Sequence, residues 1–286
     1  MKILVIGLDG AGAELLLRDE RLATIRSLME AGCYGRLEGN APSDAAPAWM
    51  SLATGQASGS PASAPEAPAP AIWDLVASRG GRSILVGVPL GSPPRPVAGI
   101  TVGGSPPTDP AKGLDVQPPE LAEAIRGLVA GVAEAPAEGD ALAWSRTQFA
   151  VVRRLLENEP WEYVHVVATG PDRPDAAGDF YVHLDEQVAQ VLEALSEDVL
   201  VLIVDLGETS AFVLAGSQLP PFGELEGVRP ADLAPTLLEL AGLPPLPEAA
   251  GRNFLEGKLP VEPPDGAAID DDELVRERLR GLGYIG

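Results

Sequence analysis

"KILVIGLDGAG", residues 2–12, sets how the rest of the chain is read. Ile3 to Ile6 form an apolar run that resumes at Leu8, too short and too rich in branched residues for a helix. A run of this kind, with no polar alternation, is a strand buried on both faces, as in a parallel sheet. It stops at Asp9, and Gly10 and Gly12 then supply turn chemistry. The same pattern returns at "SILVGVP" (83–89), "YVHVVAT" (163–169) and "VLVLIVD" (199–205), and more briefly at "AFVLAG" (211–216). "GITVGG" (99–104) is expected as an edge strand.

Helical periodicity fills the intervals. Leu15, Leu22, Ile25, Leu28 and Met29 share one face of a helix expected to end near Gly32. "PAWMSLATG" predicts a helix with Pro47 as its first residue. Further helices are expected over 72–78, 118–132, 141–156 and 230–244, and Tyr181, Leu184, Val188, Val191, Leu192 and Leu195 form another apolar stripe. Strands alternating with helices give a doubly wound, mostly parallel α/β sheet with helices on both faces. In such a sheet the functional crevice lies beyond the carboxyl ends of the strands.

Composition narrows the function classes. The 286 residues suffice for one large α/β domain. The expected division is a domain over 1–255, then a linker and a short charged helix over 256–286. "QASGSPASAPEAPAPA" (56–71) is a low-complexity loop that cannot pack a core. Acidic residues number 42 and basic residues 20, a net charge of −22. Such a surface repels phosphate backbones and anionic lipids, so neither a nucleic-acid nor a membrane partner is expected. The C-terminal segment "ELVRERLRGLGYIG" offers Leu274, Leu279 and Leu282 to a protein partner. The single cysteine, Cys33, excludes an internal disulfide and a cysteine-rich zinc site. No apolar run approaches the roughly 18 residues of a membrane span, and the N-terminal run meets Asp9 too soon for a signal peptide. A cytoplasmic location is the expectation.

"GLDGAG" (7–12) departs from the glycine spacing of a dinucleotide site, and Asp9 would face the pyrophosphate. The carboxylates are more informative. Asp9 follows the first strand, Asp172 follows "YVHVVAT", and Asp205 ends "VLVLIVD". Strand-end aspartates often cap the next turn. Three in one sheet also suit a metal or phosphate site.

"KILVIGLDGAG", "APAWMSLATG", "TGPDR", "VLVLIVDLG" and "RPADLAPTLLELAGLP" together resemble the type I phosphodiesterase/nucleotide pyrophosphatase branch of the alkaline phosphatase superfamily. The resemblance runs in order over residues 2–255 and implies an alkaline-phosphatase-like fold. It also implies two zinc ions at the strand ends and a Thr or Ser nucleophile that attacks a phosphate ester. Two cations would stabilise the attacking and leaving oxygens of an in-line displacement.

Transferred residue by residue, the resemblance keeps three aspartates and loses the rest. Asp9, Asp172 and Asp205 match metal-ligand positions. Ala45 stands at the nucleophile position, Ala176 at the histidine of the Asp-x-x-x-His pair and Leu206 at the histidine of the Asp-His pair. A further histidine has no counterpart, because "GETSAFVLAG" passes almost directly into a strand. The chain's two histidines do not compensate. His165 is expected as a satisfied core residue and His183 as an exposed one. Ser43, two residues from Ala45, and Asp44 are poorly placed as substitute nucleophiles.

The expected function is therefore a phosphodiesterase-like protein without its reaction, acting as a binding or scaffold module and carrying no zinc. The alternative is a phosphoric- or sulfuric-ester hydrolase in which Asp9, Asp172 and Asp205 hold Mg²⁺, Mn²⁺ or Ca²⁺ weakly, since carboxylate-only sites suit harder ions.

Overall fold

The computed structural model describes residues 1–39, 45–57, 69–89, 96–103, 115–129, 141–170, 174–195, 198–207 and 209–259. The chain divides into two units, Met1–Phe254 and Leu255–Gly286. The first contains the sheet.

Nine strands form that sheet: β1 Lys2–Asp9, β2 Cys33–Arg36, β3 Ser83–Val86, β4 Gly99–Val102, β5 Val116–Gln117, β6 Tyr163–Thr169, β7 Val199–Asp205, β8 Ala211–Ala215 and β9 Gly223–Glu224. Their order is β5-β4-β3-β6-β1-β7-β8-β2-β9. The central strands β4, β3, β6, β1 and β7 run parallel, and β8 turns back antiparallel to β7. The expected mostly parallel architecture is thus present. β1 lies between β6 and β7, so Asp9 pairs in register with Thr169, while Asp205 pairs with Ala211. This register brings the carboxyl ends of β1, β6 and β7 to one edge.

The helices are α1 Gly12–Arg18, α2 Ala23–Ala31, α3 Ala45–Thr54, α4 Ile72–Ser78, α5 Ala122–Val129, α6 Ala141–Asn158, α7 Pro174–Glu193 and α8 Pro230–Leu240. One sheet face presents Leu4, Ile6 and Leu8 with Val164, Val166 and Ile203, and packs on apolar residues of α1, α2, α6 and α7. On the opposite face the Trp49 ring of α3 lies on Gly7, where an added Cβ would come within 2.3 Å of it. Trp73 of α4 leans on Tyr163, with ring centroids 6.4 Å apart. The C-terminus of α3 is held by the Gly55 carbonyl, which accepts N–H bonds from Ala250 and Gly251.

Several sequence expectations are corrected. The helix expected from Leu15 to Met29 is two helices, broken at Asp19, whose extended backbone ends α1. There the Asp19 carboxylate binds the backbone and guanidinium of Arg21, a local bond that competes with helix. The α3 helix starts at Ala45, two residues before Pro47. A proline is tolerated there because first-turn amides have no intrahelical acceptor. The 118–132 expectation becomes a 3-10 turn, Pro119–Leu121, and the shorter α5. β4 is not an edge strand, since β5 pairs outside it. Cys33 is buried in β2. Most of the 56–71 loop and the whole charged C-terminal helix lie outside the described residues.

Candidate functional site

Asp205 closes β7 and is fully buried. Its two oxygens accept backbone bonds from different loops. Oδ1 accepts the Gly10 N–H at 2.8 Å, and Oδ2 accepts the Gly207 N–H at 3.2 Å. The carboxylate therefore ties the loop after β1 to the loop after β7. Thr209 adds to the tie: its backbone carbonyl accepts the Ala13 N–H at 2.6 Å, and its Oγ1 receives the same N–H at 3.3 Å. Gly10 and Gly12 have φ of +87° and +73°, a region costly for a side-chain-bearing residue. A Cβ on Gly12 would also stand 3.0 Å from Thr209 Oγ1.

Asp9 closes β1 beside Asp205. Its backbone carbonyl accepts the Tyr181 hydroxyl at 2.7 Å and the Gly170 N–H at 2.9 Å. Tyr181 comes from α7, so that helix and the end of β6 meet at the Asp9 main chain. No room is left around the tyrosine: a Cβ on Gly170 would come within 2.2 Å of its hydroxyl.

The electrostatics follow from burial. Desolvation pushes the Asp205 carboxyl up to about 6, against the opposing pull of the Gly207 and Gly10 amides, and the charge of Asp9 raises it further. Burial also raises Asp9 above the ordinary aspartate value. Tyr181 is raised too, first by burial and then by the charges of Asp205 and Asp9, so it stays protonated and donates. A group held this firmly in its neutral form is a poor nucleophile.

The structure thus brings two of the three strand-end aspartates together. Asp172 lies outside the described residues, as do Ser43 and Asp44. Ala45 begins α3 and Ala176 lies in the first turn of α7. Leu206, immediately after Asp205, is buried.

The histidines are elsewhere. His165 is buried within β6, with Nδ1 3.1 Å from the Tyr163 hydroxyl, and burial lowers its pKa to about 3. Its Nε2 has no partner among the described residues, so it is only half satisfied, contrary to the expectation. His183 is half-buried rather than exposed, with a side-chain exposure of 17%. It accepts the Arg146 Nε–H at 3.0 Å.

Zinc sites favour imidazole nitrogen and thiolate sulfur over a pair of carboxylates. Among the described residues no group of three or more His, Cys, Asp or Glu could hold a metal ion. Both oxygens of Asp205 already serve backbone amides. The described residues do not fit a two-zinc centre.

The strand-end positions of Asp9 and Asp205 were legible in the sequence, but their partners were not. Gly10, Gly12 and Gly207 contribute backbone N–H groups, which every residue type has. Only the glycines following the strand-end aspartates marked those turns. Tyr181 stood in an apolar stripe, and nothing in its spacing revealed the bond from its hydroxyl.

The family model described as Type I phosphodiesterase / nucleotide pyrophosphatase matches residues 3–60. No curated protein matches the sequence. Among solved structures, human ectonucleotide pyrophosphatase/phosphodiesterase 5 superposes with a TM-score of 0.60 at 10% identity, covering 86% of this chain and 96% of that one. An inactive threonine-to-alanine variant of the murine protein, solved in complex with AMP, gives a TM-score of 0.57 at 10% identity over 86% and 96%. The phosphonate monoester hydrolase from Silicibacter pomeroyi gives 0.55 at 13% identity over 92% and 78%. The chain shares its fold with these structures, an alkaline-phosphatase-like α/β fold. The resemblance to type I phosphodiesterases holds by family model over β1, α1, α2, β2 and α3, the segment that includes Asp9 and Ala45.

Proposed function

We propose that this chain is a non-catalytic member of the phosphodiesterase/nucleotide pyrophosphatase group, a binding module that keeps the fold without the two-zinc reaction. The observation that carries the reading is the state of Asp205 and its neighbour. Where the resemblance calls for an Asp-His pair of metal ligands, Asp205 spends both oxygens on the Gly10 and Gly207 amides, and Leu206 is packed into the interior. A former ligand position has become a brace between two loops. Ala45 supports the same reading, since a methyl group can neither attack phosphorus nor coordinate a metal. Such a module would hold a phosphate-ester ligand without turning it over. The inactive murine variant solved with AMP shows that this fold, with a threonine replaced by alanine, can hold a nucleotide.

The experiment combines three measurements on the purified full chain: metal content, hydrolysis of a chromogenic phosphodiester with and without added Zn²⁺, Mg²⁺ or Mn²⁺, and AMP binding by calorimetry. The reading expects sub-stoichiometric metal, no turnover above the blank and detectable AMP binding. Two zinc ions per chain with turnover would overturn it. Turnover that requires Mg²⁺ or Mn²⁺ and disappears in Asp9→Ala would establish the hard-cation hydrolase instead. Absence of both turnover and AMP binding would overturn the phosphate-ester ligand.

A further inference from the structure

The face of the sheet that receives α3 holds two buried nitrogens in want of partners. Trp49 is 1% exposed and His165 is 0% exposed. Neither Trp49 Nε1 nor His165 Nε2 has a hydrogen-bond partner among the described residues. Their rings face each other edge-on, with centroids 5.6 Å apart and planes inclined by 60°. The far end of the indole lies on Gly7, and His165 pairs in register with Val5, two residues earlier on the same strand. A buried polar group without a partner forfeits its hydration, and native proteins resolve nearly all such cases with protein or water. Two at adjacent rings point to one shared solution.

The chemistry selects which. The other imidazole nitrogen, Nδ1, is engaged by the Tyr163 hydroxyl at 3.1 Å. If the hydroxyl donates, His165 carries its proton on Nε2, and Trp49 and His165 are both donors. No direct bond between them can then form. If Nδ1 donates instead, Nε2 is an acceptor. A water molecule satisfies either tautomer, because it accepts from the indole N–H and either accepts from or donates to Nε2. Internal waters need two or more polar partners, and this pair supplies two.

We propose that one water molecule is bound between the Trp49 indole N–H and His165 Nε2, as an internal bridge that fastens α3 to β6. The bridge gives the helix that begins at Ala45 a directional tie to the sheet, in addition to the apolar contact of Trp49 with Gly7.

A crystal structure of the full chain at a resolution that shows ordered solvent tests this directly. The expected result is a solvent peak at about 2.7–3.2 Å from both nitrogens. On a chain labelled with ¹⁵N-tryptophan, the Trp49 indole proton is expected to show a cross-relaxation peak with water despite its burial. A dry contact, or a direct N–H to N bond, with no water cross-peak would overturn the proposal.

Discussion

At the scale of single residues, Asp205 and His165 are two buried titratable groups with opposite pH signatures. Burial raises Asp205 from 3.8 in the unfolded chain to about 6. The folded state then binds more protons, and the stability that neutral Asp205 contributes is fully present below about 3.8. It is lost as pH rises through about 6. His165 runs the other way. Its value falls from 6.5 to about 3, so its contribution is present above 6.5 and lost as pH falls through about 3. The two slopes partly cancel in the intact protein, and each emerges only as a difference. Urea unfolding of the protein and of Asp205→Asn, repeated from pH 4 to 7, isolates the first. The stability of the unaltered protein relative to the variant should fall as pH rises across this range. A constant difference would show that Asp205 ionises as it does in the unfolded chain. The matching comparison with His165→Phe should show the variant losing less stability between pH 6.5 and 4 than the unaltered protein loses.

At the scale of elements, two contacts fix helices against the sheet and against each other. Gly7 leaves space for the Trp49 ring, and a methyl group there would overlap it at 2.3 Å. Overpacking of this kind costs about 1–3 kcal/mol. Gly7→Ala should therefore destabilise by about that amount in urea, and by clearly less in a Trp49→Leu background, where the smaller side chain relieves the overlap. Equal costs in both backgrounds would place the strain elsewhere. Asp185 is the second contact. It lies on α7, is 4% exposed, and its two oxygens accept the Thr24 and Ile25 N–H groups, both at 2.9 Å. A side chain of one helix thus caps the first turn of another, which has no cap of its own. Asp185→Ala leaves two amides without acceptors and should cost about 1–3 kcal/mol. Urea unfolding with an unchanged slope would confirm it, and a loss within error would show that water replaces the carboxylate.

Legibility also sorts by element. The central strands were plain in the sequence because burial on both faces demands continuous apolar runs. β2, β5 and β9 were not. They are four, two and two residues long, and partner strands rather than their own composition make them strands. The helix break at Asp19 was missed because the apolar spacing of Leu15 and Leu22 continues across it, while the interruption is a local side-chain bond to Arg21. The cap from Asp185 arrives from 160 and 161 residues away, and no local window contains both partners.

At the scale of the whole molecule, the net charge of −22 opposes compactness. Screening shortens the reach of that repulsion from about 30 Å at 0.01 M salt to about 10 Å at 0.1 M. The thermal midpoint should rise over that interval in sodium chloride, and a flat response would mean that the surface charges are locally paired. The proposed function also makes a prediction at this scale. The positions that the resemblance assigns to the nucleophile and two histidines lie on or beside regular elements: Ala45 opens α3, Ala176 lies on α7 and Leu206 follows β7. Asp205 braces the Gly10 and Gly207 loops, and Leu206 is buried. Restoring side chains alone should then restore little. A chain carrying Ala45→Thr, Ala176→His and Leu206→His is expected to unfold at a lower temperature than the parent, since an imidazole replaces a buried leucine. It is expected to bind more zinc than the parent but no more than one ion per chain, and to leave a chromogenic phosphodiester unhydrolysed. Metal analysis after dialysis and a turnover assay check both. Two zinc ions with turnover would show instead that three side chains were all that separated this chain from catalysis, and that the Asp205 brace yields readily to a metal.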